Sequence, residues 1–121
     1  MGEPYDPSLR AALAATGRSL GNTVHDRGTV VVIQGPRFST RAESAWFASN
    51  GWDVVNMTQY PEVALAREAG LPIAGLALVT DYDSGVEGVP HVTQEAVFSV
   101  FQANLGRLRD LLFAVIPSLP A

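Results

Sequence analysis

Two aspartates separated by a single tyrosine, Asp81 and Asp83, follow closely on Ile73–Val79, the most apolar run of the chain. A buried strand should stop there, and in an open parallel sheet ligands bind beyond the carboxyl ends of the strands. Carboxylates at such an end can do acid–base work or hold a polar ligand. The same residues also suit a turn leaving a strand, because Asp hydrogen-bonds its own backbone locally. Two more loops start at comparable places: Gly35-Pro36-Arg37-Phe38-Ser39-Thr40 and Asn56-Met57-Thr58. Together the three loops offer an aromatic face, a thioether, hydroxyls, one guanidinium and two carboxylates. That set suits a small, flat, polar ligand with an apolar face.

The elements that must position these loops read in order as follows. Asp6-Pro7 is a helix-entry signal, with Asp as N-cap and Pro at the first position, and predicts a helix from Ser8 to Thr16. Residues 17–28, rich in Gly, Asn, Asp and His, read as a loop or a β-hairpin turn with Thr23-Val24-His25 extended. Thr29–Ile33 is a β-branched run and predicts a strand. Thr40 and Glu43 have capping-box spacing ahead of a helix over Arg41–Ser49, whose inner face is expected to carry Ala42, Ala45 and Trp46. Asn50-Gly51 stops it. Trp52–Asn56 predicts a second strand, with Trp52 placed to pack on Trp46. Pro61-Glu62 opens a third helix carrying Val63, Ala66 and Ala69 inward, and Ile73–Thr80 is the expected third strand. After a Gly-rich surface loop, Tyr82–Pro90, Thr93 caps a long amphipathic helix in which Val97, Val100, Phe101, Leu105, Leu108, Leu111, Leu112 and Val115 recur at three or four residues.

Strands separated by single helices imply parallel pairing with right-handed crossovers. Three strands make a narrow sheet, and apolar strands of this kind are buried on both faces. Further strands are therefore expected from another chain or from a longer form of this one.

Composition removes several function classes. The 121 residues suffice for one domain with a modest core. A net charge of -4 leaves no basic surface for nucleic acid. All eight basic residues are Arg, so no Schiff-base or P-loop lysine exists, and the cysteine count of zero removes thiolate chemistry and thiolate metal sites. His25 and His91 lack metal-ligand spacing, so no metal is expected. With no signal peptide and no apolar run near the ~18 residues that span a bilayer, no membrane partner is expected, and a cytoplasmic protein is the default.

Several spaced motifs, in order, carry a family resemblance: Gly35-Pro36-Arg37-Phe38-Ser39-Thr40-Arg41-Ala42-Glu43-Ser44, Asp53-Val54-Val55-Asn56-Met57-Thr58, Pro61-Glu62-Val63 and Thr80-Asp81-Tyr82-Asp83. From about Pro4 to Pro117 the chain resembles the 5'-methylthioadenosine phosphorylases, a trimeric branch of the purine nucleoside phosphorylase superfamily active in purine and methionine salvage. The resemblance implies an α/β three-layer fold. It makes residues 1–121 the C-terminal half of one domain, without the half that opens with the phosphate-binding loop.

It further implies that Phe38 stacks on the purine and that Ser39 lies near the base edge, where guanine- and hypoxanthine-preferring relatives carry Glu. Asn56, Met57 and Thr58 would contact ribose and phosphate, with Thr58 reaching phosphate. Asp81 would face N7 and Asp83 the exocyclic amine of adenine. Val97 would line the pocket around the 5' substituent. Gln94, where this branch has an apolar residue, would make that end more polar and put the methylthio preference in question. Phosphate is the co-substrate, with no metal or organic cofactor, and the full enzyme would be a homotrimer. Protonating or hydrogen-bonding N7 stabilises the departing base, so Asp81 must hold a proton, which burial and the neighbouring Asp83 would favour.

The bland alternatives are a core Phe38, a helix-entry Ser39 and a buried strand-end Met57. At the level of function the rivals are a non-catalytic binding or assembly fragment, a phosphorylase with another 5' or base preference, and a generic nucleotide-binding domain. The last lacks any GxGxxG or P-loop.

Overall fold

A computed structural model describes residues 2–86, 88–90 and 92–119, so His91 and one residue of the Tyr82–Pro90 loop, Glu87, lie outside the described residues. The elements run α1 (Pro7–Ser19), β1 (Val30–Val32), α2 (Arg41–Ser49), β2 (Val54–Asn56), α3 (Gln59–Glu68) and α4 (Gln94–Val115), then a short 3-10 turn. The fold class is α/β, as expected. β1 and β2 pair in parallel with Val30 opposite Val54 and Val32 opposite Asn56. The pairing extends past both ends of the strands: Ile33 N donates to Asn56 O at 2.9 Å, and Asp53 N donates to Thr29 O at 2.9 Å.

The entry signals act as read. Asp6 accepts from the backbone N–H groups of Ser8 and Leu9, with Pro7 at the first helical position. Helix α1 nevertheless continues through Gly17 to Ser19, past the expected stop at Thr16. Its Gly17 is buried, and a Cβ there would sit 2.7 Å from Val24 Cγ2. The following loop folds back onto the helix where the side chain is missing, so this glycine marks a contact rather than a terminus. At α2, Thr40 and Glu43 complete a capping box, and the helix occupies the expected residues.

The inner faces of two helices differ from expectation. The inner face of α2 is Ser44 and Phe47, both buried, while Ala42, Ala45 and Trp46 are exposed. Alanines fit either face of a helix, and Trp46 is held at the surface by Trp52, whose ring it meets edge-on at 5.2 Å between centroids. The expected Trp46–Trp52 packing is thus present, with Trp46 exposed and Trp52 half-buried against Phe47 as well. In α3, Val63 and Ala66 are half-buried as expected, but Ala69 is exposed.

The third strand, Ile73–Thr80, forms no ladder, and the sheet contains β1 and β2 alone among the described residues. A strand exists only through a neighbour that takes its N–H and C=O groups. Here Ile73 O accepts from Asp6 N at 2.7 Å, and Leu76 and Val79 stand exposed. The buried apolar residues are Ala14, Ile33, Phe47, Leu111 and Val115. Helix α4 packs on α1, with Leu111 and Val115 buried on that side and Phe98, Leu105, Leu112 and Phe113 exposed.

Candidate functional site

The three loops read from the sequence meet in space. Gly35, leaving β1, lies against Met57, leaving β2: a Cβ on Gly35 would be 3.1 Å from the Met57 sulfur. Ser39, which is buried, donates its hydroxyl proton to Asp83 across 44 residues of chain. Gly85, at a φ of +85° that favours glycine, lies over Arg41, where a Cβ would meet Arg41 Cγ at 2.7 Å. The loop after Thr80 is therefore held against the start of α2 at two points on either side of Ser84.

A salt bridge fixes the loop that carries Phe38 and Ser39. Arg37 presents both terminal nitrogens to Glu43, each at 2.7 Å, a fork geometry that suits carboxylate. Glu43 also accepts from Thr40 N at 2.8 Å. These hydrogen bonds, with that from Arg37 first, hold the Glu43 carboxyl at about 2, well below its ordinary value. The Arg37 guanidinium is thus committed to its own loop. Phe38 next to it is 45% exposed and so is not part of the core.

Asn56 has a structural task. Its side-chain oxygen accepts from the backbone N–H groups of Thr58 and Gln59 at 2.7 and 2.8 Å, which turns the chain from β2 into α3. Regular helix begins at Pro61, since Tyr60 has non-helical torsions. Only the amide nitrogen of Asn56 is left to meet a ligand. Met57 is half-buried and Thr58 exposed. Asp81 is exposed and accepts from the Thr80 hydroxyl, so the burial expected around it is not present within this chain. Gln94 is exposed at the first turn of α4, behind the Thr93 cap, and Val97 is half-buried. Among the described residues no hydrogen bond joins Gln94 to the three loops.

Sequence reasoning missed the Arg37–Glu43 fork, the Arg41–Gly85 approach and the hydrogen bond from the Tyr5 hydroxyl to Gln59. The capping box announced Glu43 but gave no sign that its second oxygen would take an arginine. Tyr5 and Gln59 are 54 residues apart and carry no local signal.

The phosphorylase superfamily profile matches residues 1–117. The chain is 49% identical over 121 residues to a purine nucleoside phosphorylase of Streptomyces coelicolor, covering 100% of this chain and 43% of that protein. It is 53% identical to an S-methyl-5'-thioadenosine phosphorylase of Mycolicibacterium smegmatis, covering 94% of this chain and 42% of that one. A methylthioadenosine phosphorylase from Schistosoma mansoni, solved in complex with adenine, superposes with a TM-score of 0.90 at 35% identity, over 99% of this chain and 49% of that chain. The chain therefore spans somewhat under half the length of the curated relatives it matches. On the profile match, the shared motifs and the superposition together, this chain belongs to the phosphorylase superfamily.

Proposed function

We propose that the chain supplies the purine and ribose side of a nucleoside phosphorylase site, as the C-terminal half of a single domain. The reaction is phosphorolysis of 5'-deoxy-5'-methylthioadenosine to adenine and 5-methylthioribose 1-phosphate. A phosphate oxygen attacks C1' of the sugar, the C1'–N9 bond breaks, and its electron pair leaves with the purine. Positive charge builds on the ribose and negative charge on the base. Asp81 donates a proton or hydrogen bond to N7 and so stabilises the leaving group.

The Ser39–Asp83 hydrogen bond carries this reading. It orients a half-buried carboxylate at the base edge, leaving acceptor capacity for an exocyclic amine. Hypoxanthine offers a carbonyl in that place and would meet carboxylate oxygen with oxygen. Phe38 stacks on the ring, Met57 lies under the sugar, and Thr58 with the Asn56 amide reaches ribose and phosphate. Val97 and Gln94 border the 5' substituent. No metal enters, and phosphate is the co-substrate. The main phosphate ligands are supplied from outside these residues, and the working enzyme is a homotrimer.

The exposure of Asp81 favours one second reading. Alone, the chain is a binding or assembly module whose site closes only when further protein covers it. Native mass and a phosphorolysis assay on the same sample separate the two. Adenine release from a larger assembly supports the enzyme; a stable assembly that binds adenine and never turns over methylthioadenosine supports the module. The Streptomyces coelicolor relative is named for purine nucleosides in general, so inosine and adenosine belong in that assay.

A further inference from the structure

We infer that Arg37 and Glu43 are positioning residues for the purine: their fork holds the Phe38–Ser39 arm in the shape that receives the base, and breaking it weakens nucleoside binding without slowing the chemical step. The inference rests on the phosphorylase reading above, which places Phe38, Ser39 and Asp83 at the base.

Among the described residues, no backbone–backbone hydrogen bond involves residues 37–39. A segment without such bonds keeps one shape only through its side chains. Here those side chains converge on a single carboxylate. Arg37, just before the pair Phe38–Ser39, reaches Glu43 through Nη1 and Nη2 at 2.7 Å each. Thr40, just after the pair, reaches Glu43 Oε2 through its backbone N at 2.8 Å and its hydroxyl at 3.0 Å. Arg37 Nη1 also donates to the Phe38 carbonyl at 3.1 Å. Glu43 therefore bridges the two residues that flank the pair and closes the bend between them.

The Asp83 arm has a contact of its own with α2, where Gly85 lies over the Arg41 side chain. The fork acts on the other arm. Ser39 in that arm is buried and bonded to Asp83, whereas Phe38 is exposed and its placement follows the backbone that the fork shapes. Arg37 and Glu43 are themselves 46% and 32% exposed at the side chain, and ion pairs open to solvent contribute little to global stability. What the fork supplies is local order. A ligand docking on an arm already in shape is spared the entropy of ordering it. The arm is needed equally in the bound substrate and in the transition state, so its loss falls on KM rather than on kcat.

The test is steady-state kinetics in the full-length protein, with calorimetric binding of adenine. Arg37→Ala leaves the Thr40–Glu43 capping box in place, so α2 keeps its entry. It should raise both the KM for methylthioadenosine and the Kd for adenine by about tenfold, the scale of ordering one or two side chains, while kcat and the KM for phosphate hold. Glu43→Gln should act in the same direction. The double variant should be no worse than the more impaired single, because the two residues act through one contact. Arg37→Lys, a single ammonium in place of a planar fork, should recover only part of the loss. If Glu43→Gln loses its helical circular dichroism, Arg37→Ala decides alone. The proposal is overturned if Arg37→Ala leaves KM and adenine binding unchanged, if it lowers only the melting temperature or the active fraction, or if the two losses add in the double variant. An unaltered protein that neither binds adenine nor turns over methylthioadenosine contradicts the phosphorylase reading and the proposal together; an active one indifferent to Arg37→Ala sinks the proposal alone.

Discussion

The two aspartates occupy different surroundings, and the tasks proposed for them differ. Asp83 is half-buried and oriented by Ser39, while Asp81 is exposed beside Thr80. In an assembled enzyme Asp81→Asn should lower kcat by roughly 100-fold to 10,000-fold, the range of general-acid contributions, with KM nearly unchanged. Equal losses in binding and turnover would rule out the acid role. The Arg37–Glu43 fork makes a prediction in pH. Glu43 is depressed from 4.5 to about 2, so its stabilisation is complete above the ordinary carboxylate range and lost as pH falls through about 2. Glu43→Gln should therefore flatten the acid limb of stability between those values, followed by near-ultraviolet circular dichroism of the tryptophans. An unchanged acid limb would show that the fork contributes nothing in solution.

At the scale of the element, helix entries were the most legible part of the chain. Thr40 with Glu43, and Asp6 with Pro7, announced α2 and α1 through side chains that bond their own backbone, a rule needing no tertiary information. Thr40→Ala should cost about 1 kcal/mol in urea denaturation. What could not be read was facing. Ala42, Ala45 and Trp46 form a plausible apolar stripe, yet Ser44 and Phe47 turn inward, and Trp52 packs on both Trp46 and Phe47. Gly17 misled for a related reason: a glycine after a helical pattern reads as a stop, but here it admits Val24. Gly17→Ala alone should fail to give the ~1 kcal/mol that helix propensity favours, because the new methyl meets Val24 Cγ2 at 2.7 Å. With Val24→Ala added, the gain should appear. Thermal unfolding of the two variants reads this directly, and a stabilising single substitution would contradict the packing.

At the scale of the whole molecule, the gathering of the loops was readable because β-α-β alternation sends successive strand ends to one edge. The third strand was not, although its apolar composition is the strongest in the chain. Composition reports that Ile73–Thr80 is to be buried, but a ladder depends on a neighbour, and β1 and β2 do not provide one. The exposed Val79, Leu76, Phe98 and Phe113 are consistent with a surface awaiting cover.

The most direct check on the central claim is base discrimination in the assembled enzyme, with phosphate saturating. We predict that kcat/KM for adenosine exceeds that for inosine, which differs from it only at the base, by at least about 100-fold, since a site built to pair with an amine rejects a carbonyl in its place. Asp83→Asn should erase most of that ratio. Equal use of both nucleosides by the unaltered protein, or a ratio indifferent to Asp83→Asn, would contradict the assignment of this carboxylate to the purine.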